Sequence, residues 1–397
     1  REQGYPFARA YLPAQDIFSG IVRIDVLEGR YGEVSIAGLE GDENLRGAQR
    51  FLGPVSEGRV IESRRLERAA LLLDEQPGYS AVPVIRPGER LGTGDLDVRV
   101  SVEPRAIGSL GFDNHGNYYS GEWRGRAGVD LRRSLFFGDR LSITGLYTEE
   151  NTQLINASYE LPLTGNGLRV RVGYTNSEYE LGEAFDGFFG DSETLFIEFP
   201  YALKRSQTTN LTVTPRFEHN DLTDVVPDGP PTRKDSQVYP LSLAFDHRDG
   251  FAGGGVTYGR LTGSLGDVNG DTSAADDTFV KYRLNIARLQ NLPLGLQGMA
   301  RLVGQETTDN LDGSEGISLG GANAVRAFPQ GEASGDIGYY AQLELRYALG
   351  DTGFAPYVFY DLGSVTPYGG DIPAGQNNDS RDLAGAGIGL RFNRGPL

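Results

Sequence analysis

The chain has 397 residues, with 37 Lys and Arg against 54 Asp and Glu, a net charge of −17, three His and no Cys. The lack of Cys excludes disulfides, zinc ribbons and thiol catalysis, and three His leave little room for a histidine-built metal site. Strong acidity argues against nucleic acid as a partner, because neutralising phosphates requires clustered cations.

No stretch approaches the ~20 consecutive apolar residues of a membrane-spanning helix. A transmembrane β-barrel escapes that criterion, because its strands present an apolar side chain only at every second position. The abundance of glycine (56 residues) and tyrosine (20 residues) is compatible with such a barrel.

The first 104 residues predict a small α+β unit. Ile21–Val26 alternates as a strand, and Val34–Ile36 resumes the strand after a Glu-Gly turn. Val60–Asp74 carries apolar residues at helical spacing. Ala81–Arg86 and Asp95–Val102 read as strands on either side of a Gly- and Pro-rich turn. The predicted order is strand, helix, helix, strand, strand.

From residue 105 onward nearly every periodic segment has a period of two, as in Lys281 to Ile286 and Gln342 to Tyr347. We count about fourteen strands at a spacing of about 10 residues plus a turn, the pattern of a transmembrane antiparallel β-barrel. The predicted strands lie near residues 107–112, 124–131, 141–147, 156–161, 168–174, 195–199, 211–217, 241–245, 257–261, 280–286, 294–303, 338–348, 354–361 and 384–392.

The connections between these strands differ in length. Short turns are predicted at 149–151, 164–167 and 292–293, and long polar connections at 221–236, 266–277 and 307–336. A barrel in an outer membrane has one rim of short turns and one of long loops, which fits this difference. We interpret 221–236 as a solvated linker.

Enzyme motifs are mostly missing. Gly253–Gly255 is not followed by a helix and cannot cradle a phosphate. The histidines His115, His219 and His247 are far apart, so a Ser/His/Asp site is a minor alternative. Asp267–Asp271 resembles half of a calcium loop but lacks the closing Glu, so weak or no binding is expected. The sequence predicts no enzyme, metal or cofactor.

Two short motifs in the second part resemble the BamA-like superfamily. Val325-Arg326-Ala327-Phe328 resembles the tetrapeptide Val-Arg-Gly-(Phe/Tyr) of its sixth extracellular loop, with Ala327 in the place of glycine. Phe359-Tyr360-Asp361-Leu362-Gly363 resembles its strand motif Phe-Xaa-Asp-Xaa-Gly. The resemblance implies that the loop folds into the barrel lumen and that its arginine binds the aspartate. The implied anchor residues are Val325, Arg326, Phe328, Phe359, Asp361 and Gly363.

The first 30 residues are similar to the junction between the two polypeptide-transport-associated (POTRA) domains of two-partner secretion transporters of the TpsB type. The similarity rests on Gly4-Tyr5, on Pro13-Ala14-Gln15-Asp16 and on the alternating segment that ends in Glu28-Gly29. It implies that residues 1–17 are the tail of a preceding POTRA domain, 18–104 a second POTRA domain, and 105–397 a barrel. The family barrel has sixteen strands, so we expect this one to be incomplete at its C-terminus.

This resemblance implies a transporter in the outer membrane of a Gram-negative bacterium, with the POTRA domain in the periplasm. The transporter would be a monomer. It would bind the N-terminal secretion domain of one large β-helical exoprotein and pass that protein through its lumen without ATP. The implied lumen lining is Arg169, Arg171, Lys281, Arg283, Glu344 and Arg346. The alternatives are a BamA-like insertase, which shares the loop motif, and a passive porin, which would have no use for residues 20–104.

Overall fold

The computed structural model describes residues 4–17, 20–270 and 275–393. Helices α1 and α2 span Asp42–Leu52 and Ser63–Asp74. The strands before residue 104 are β1 Arg9–Tyr11, β2 Asp25–Leu27, β3 Arg30–Ala37, β4 Tyr79–Pro87 and β5 Thr93–Val102. The next strands are β6 Ala106–Asp113, β7 Arg124–Arg132, β8 Arg140–Thr148, β9 Gln153–Pro162, β10 Arg169–Glu180, β11 Phe189–Glu198, β12 Tyr201–Lys204, β13 Thr209–Val225 and β14 Thr232–Asp249. The remaining strands are β15 Gly255–Gly270, β16 Thr278–Asn291, β17 Leu296–Thr307, β18 Ile317–Leu319, β19 Ala333–Gly335, β20 Ile337–Tyr347, β21 Phe354–Thr366 and β22 Arg381–Phe392.

Residues 30–102 form the predicted α+β unit. Its sheet has the order β3-β5-β4, with β3 parallel and β4 antiparallel to the central β5. Helix α2 buries Ala69, Ala70 and Leu73, as the helical spacing predicts. Ala69 and Leu73 belong to the same buried core as Leu96 and Val98 of the central strand. Among the described residues, neither helix is long and apolar enough to cross a membrane.

The predicted first strand, Ile21–Val26, is wrong in its bounds and in its partner. Only Asp25–Leu27 is a strand, and it pairs with β1 in a separate two-stranded sheet. The side chains of Ile21 and Ile24 are exposed, because no sheet covers either face of this segment. The first strand of the α+β unit is β3. The domain boundary at residue 18 stays a prediction.

The rest of the chain forms one large antiparallel sheet. Fifteen strands belong to it within the described residues, in sequential order from β6 to β22 apart from β18 and β19. Both β11 and β12 pair with β13 and are separated by Phe199 and Pro200, so they act as one strand that is interrupted where proline removes a backbone donor. Fourteen ladder positions result, at the predicted places. No pairing joins β6 to β22 in this part of the chain.

The large sheet has two chemically different faces. On β20 the side chains of Tyr339 and Leu343 are 47% and 50% exposed, whereas Gln342 and Glu344 are 4% exposed. The connection between β17 and β20, called the long loop below (residues 308–336), covers the second set. We call the covered face the inner face and the apolar one the outer face. The predicted mainly-β class is confirmed, and the alternation of side chains explains why averaged hydropathy misses the outer face.

Three predictions about connections are wrong. The segment 266–277 begins as strand, because β15 continues to Gly270. The segment 221–236 is mostly strand, because Asp221 pairs with Asp235 and only 226–231 connect β13 to β14. Polar side chains do not prevent pairing, since a hairpin that extends into water still satisfies its backbone hydrogen bonds. The turn at 149–151 lies on the rim of the long connections, because one strand separates it from the turn at 164–167.

Phe137 is one of several side chains that join the α+β unit to the short-turn rim, together with polar contacts such as Arg68 to Asn166 and Arg169 to Gln76. Phe137, from the turn between β7 and β8, belongs to the buried core of the α+β unit, where its ring stacks on Tyr79 at 4.4 Å between centroids. A Cβ added at Gly47 of α1 would lie 2.4 Å from the Phe137 ring, so this glycine makes room for it. The contact therefore depends on the conformation of the turn.

Asp139 fixes that conformation. Its carboxylate accepts hydrogen bonds from the backbone N–H groups of Ser134, Leu135 and Phe136 and from the hydroxyl of Tyr159, at 2.6 to 3.0 Å. Burial alone would raise the pKa of Asp139, but these hydrogen bonds outweigh burial and hold the pKa below its usual range. The ionised form therefore stabilises the turn at neutral pH.

We expect Phe137→Ala to loosen the α+β unit from the sheet, because a large-to-small change in a buried aromatic contact costs about 3 to 5 kcal/mol. Spin labels at Glu57→Cys and Thr208→Cys, both exposed positions in a chain without cysteine, measure the distance between the two parts. The distribution should broaden. Phe136→Ala is the matched control, because Phe136 is 54% exposed. Equal broadening in both variants would contradict this role of Phe137.

Candidate functional site

The long loop is folded onto the inner face of the sheet. Its strands β18 and β19 form a small hairpin, and Ile317, Leu319 and Val325 are fully buried. They pack with residues of four sheet strands in one cluster, which contains Val303, Tyr340, Val365 and Leu383, with Phe328 partly buried beside it. Each buried aliphatic side chain stabilises this position by about 1.5 to 3 kcal/mol. The loop is thus a packed element of the fold.

Arg326 lies at the tip of this loop and binds Asp361 of β21. Its Nε donates to Oδ2 and its Nη2 donates to Oδ1, both at 2.7 Å, and its backbone N–H donates to Oδ2 at 3.0 Å. Asp361 is 0% exposed. A planar guanidinium matches both carboxylate oxygens at once, which the ammonium of lysine cannot do. The structure therefore brings together the two residues that the motifs single out.

Glu344 of β20 is the second acidic residue of the site. Its Oε2 accepts from Nη1 of Arg326 at 2.6 Å and from Nη2 of Arg391 at 3.1 Å, and its Oε1 lies 3.2 Å from Nη2 of Arg346. The Glu344 side chain is fully buried. Two buried carboxylates thus meet three guanidinium groups, so the negative charges are compensated and the site has a small positive excess.

The strand motif Phe359, Asp361 and Gly363 serves the loop at three successive inner positions. The guanidinium carbon of Arg326 lies 4.0 Å from the centroid of the Phe359 ring, within cation–π distance. A Cβ added at Gly363 would lie 2.8 Å from the carbonyl oxygen of Tyr339 and 3.0 Å from Cδ2 of Leu319, so glycine leaves space for the neighbouring strand and for this loop residue. Phe359 thus stacks on Arg326, Asp361 forms the ion pair with it, and Gly363 leaves space for Leu319.

Ala327 occupies the position at which the resembling family has glycine. Its φ is not positive, so the backbone here does not require glycine and the methyl group introduces no strain. The loop tip keeps a conformation that positions Arg326 despite the substitution.

The sequence did not identify other residues that hold the loop. Gln342 donates to the carbonyl of Ala324 at 2.9 Å, and Arg301 donates to that of Asn323 at 3.3 Å. Lys234 binds Asp312 at 2.7 Å. The alternation places Gln342 on the same inner face as Glu344, so the face of the sheet on which Gln342 lies could be predicted from the sequence. The partners were not, because they depend on where the loop lies.

The predicted lining residues fall into different environments. Arg171 bridges Glu160 at 2.6 Å and Glu198 at 2.9 Å on neighbouring strands. Arg169 also pairs with Glu160 and reaches Oε1 of Gln76 in the α+β unit at 2.8 Å. These two arginines lie near the short-turn rim, where the sheet meets the α+β unit.

The other lining residues lie nearer the loop. Lys281 pairs with the carboxylate of Glu315 and donates to its carbonyl at 3.0 Å. Glu344 and Arg346 belong to the Arg326 site. Arg283 forms no ion pair within residues 4–17, 20–270 and 275–393. Whether these residues line a passage stays a prediction.

The sequence features that suggested other chemistry form no site here. Gly253 and Gly254 lie in the turn between β14 and β15, and Gly255 is the first residue of β15. Asp267 to Gly270 belong to the same strand, while Asp271 lies outside the described residues. Across the described parts of the chain, no group of three or more His, Cys, Asp or Glu side chains is placed to hold a metal ion.

The chain is similar to known outer-membrane proteins. The family model described as haemolysin secretion/activation protein ShlB/FhaC/HecB matches residues 92–392, and a model of the ShlB-type POTRA domain matches residues 1–29. The heme/hemopexin transporter protein HuxB of Haemophilus influenzae (strain 86-028NP) is 26% identical over 99% of this chain and 72% of its own length.

Two solved structures share the fold. CdiB from Escherichia coli superposes with a TM-score of 0.79 at 22% identity, over 98% of this chain and 74% of that one. BamA from Haemophilus ducreyi lacking POTRA domains 1-3 gives 0.58 at 16% identity, over 98% and 84%. At these identities the likeness concerns the fold alone.

We expect Arg326→Lys to release the loop tip, because a lysine cannot bind Asp361 through both oxygens and Glu344 as well. Leaving a buried carboxylate without its partner costs about 3 to 5 kcal/mol. Protease cleavage within residues 308–336 of the membrane-inserted chain should accelerate. The control is Arg381→Lys, at an exposed loop-to-strand pair with Glu332, which contributes little. Equal cleavage of the two variants would show that the Arg326 pair does not hold the loop.

Proposed function

The chain belongs to the haemolysin secretion/activation family ShlB/FhaC/HecB, and from this premise we propose that it carries one secreted partner protein across the outer membrane. The predicted two-partner secretion resemblance and the outer-membrane localisation agree with this family. The observation that carries the proposal is the long loop, which Arg326 and Asp361 hold on the inner face of the sheet. A loop in that place obstructs a lumen and must yield to a passing chain.

We propose that the partner is a large β-helical exoprotein that enters unfolded from the periplasm through its N-terminal secretion domain. The edge strands β3 and β4 of the α+β unit support this step, because β4 has one side without a strand partner in the described sheet, and β3 has one beyond Tyr31, where its pairing with residues 58–60 ends. Such an edge accepts an extended peptide by strand addition. The α+β unit also meets the sheet at Arg169, so a bound chain would begin its passage beside the inner face.

The remaining parts of the proposal concern energy, membrane and assembly. The transport step requires no catalytic residue, metal, cofactor or ATP, since folding of the exoprotein outside would supply direction. The exposed apolar side chains of the outer face, such as Leu343 and Tyr339, suit contact with lipid acyl chains. We propose a monomer, in which one chain supplies the whole lumen lining.

The two alternatives predict different behaviour. BamA-like insertases share this fold, so the fold does not separate the two functions, but the matching family model is that of the secretion proteins. A passive porin would have no need of the α+β unit or of a loop held by the ion pairs of Arg326 with Asp361 and Glu344.

Secretion of the partner tests the proposal directly. We expect Arg326→Ala and Asp361→Ala each to abolish or strongly reduce the exoprotein in the culture supernatant at matched transporter levels. The double variant should be no worse than either single variant, since each of the three breaks the contact between Arg326 and Asp361 that holds the loop tip. Outer-membrane insertion should stay nearly intact, because backbone pairing holds the sheet. Arg381→Ala, at the exposed pair, should secrete normally. Normal secretion by Arg326→Ala would reject this mechanism.

Single-channel recording separates the transporter from a porin. A loop of about 30 residues would occupy much of the lumen that a barrel of about sixteen strands encloses, so the intact protein should give a small and fluctuating conductance. Arg326→Ala should raise the conductance by releasing the loop. Large, quiet and constant steps from the unaltered chain would favour the porin.

A further inference from the structure

Gly385 lies on the inner face of β22, directly across the strand pair from Asp361. A Cβ built on Gly385 would lie 2.2 Å from Cβ of Ala327, and the three atoms nearest to it all belong to Ala327. Carbon atoms that are not bonded meet at about 3.5 to 4.0 Å. The methyl group of Ala327 thus occupies the space that any side chain at position 385 would need.

This contact bears directly on the Arg326 pair. Ala327 follows Arg326 in the chain, and Gly385 is the register partner of Asp361, so the loop tip and the strand approach one another at the two ends of the ion pair. Relieving a 2.2 Å contact requires a shift of more than 1 Å. A displacement of the loop tip by that amount away from Asp361 would take the two 2.7 Å hydrogen bonds and the 3.0 Å backbone hydrogen bond beyond hydrogen-bond distance.

We propose that Gly385 is a positioning residue for the loop tip, and that Gly385 and Ala327 form a size-matched pair. The loop supplies the methyl group and the strand supplies the space for it, so the combined volume of the side chains at positions 327 and 385 is limited to one methyl group. The consequence for transport rests on the proposed function, whereas the position of the loop does not.

A cysteine probe measures the position of the loop independently of any partner. The chain has no native cysteine, and Ala324, beside the loop tip, is 6% exposed. Ala324→Cys in the full chain, in outer membranes, should therefore react slowly with a membrane-impermeant maleimide. Overpacking at Gly385→Ala should raise the rate about tenfold.

Size exchange is the decisive comparison. In Gly385→Ala combined with Ala327→Gly, one methyl again fills the space, and labelling should return to within about twofold of the rate of the unaltered pair. Ala327→Gly alone should stay protected. The matched control is Gly125→Ala on β7, where an added Cβ would meet no atom within 4 Å. Slow labelling of Gly385→Ala, or fast labelling of the size-exchanged chain, would overturn the proposal.

Two further measurements keep the test decisive. If Gly385→Ala fails to reach the heat-modifiable folded form, Ala327→Leu enlarges the same contact from the loop side, and slow labelling of that variant would overturn the proposal. Secretion is recorded in the same strains. The predicted labelling pattern with equal secretion in every strain would support the size-matched pair and reject the proposed function of the loop. Labelling that is equal in every strain would reject the size-matched pair alone.

Discussion

The inner face of this protein is organised by the need to neutralise two carboxylates that are shielded from water. An isolated ionised carboxylate away from water is strongly unfavourable, so Asp361 and Glu344 require cations within hydrogen-bond reach. Strands β20 to β22 supply Arg346 and Arg391, which reach Glu344 and not Asp361. The partner of Asp361 comes from the long loop. The position of the loop is therefore set by a charge on the sheet, and its apolar residues pack around that fixed point.

Packing and charge depend on one another at this place. Ile317, Leu319 and Val325 exclude water from the neighbourhood of the pair, which strengthens an electrostatic contact that water would weaken. The pair in turn fixes the orientation in which these side chains can be buried. Exposed pairs such as Arg381 with Glu332 lack this mutual support. The difference explains why the ion pair of Arg326 can determine the conformation of the loop while the pair between Arg381 of β22 and Glu332 of the loop is energetically minor.

Much of this could be predicted from the sequence, and the failures concern pairing and contacts between segments. The alternation of polar and apolar residues located the fourteen strand positions of the sheet, because this pattern is present within each strand by itself. The order of the two motifs identified Arg326 and Asp361. The prediction for Ile21–Val26 is wrong because pairing depends on a partner strand elsewhere in the chain. The prediction for 221–236 is wrong because its two polar halves pair with each other and with the neighbouring strands β11 and β15. The insertion of Phe137 into the α+β unit was invisible because it too depends on residues elsewhere in the chain. Two adjacent phenylalanines in a turn carry no sign of which one is covered.

The two places where separate elements dock also share a feature that composition alone conceals. The chain has 56 glycines, and their abundance indicates only a class of fold. At Gly47 the missing side chain admits the ring of Phe137, and at Gly385 it admits the methyl group of Ala327. At these two positions the docked segment approaches the backbone of the receiving element so closely that a side chain there would separate the two. The role of each of these glycines is therefore to leave space for the docked residue, and it can be recognised only in the folded structure.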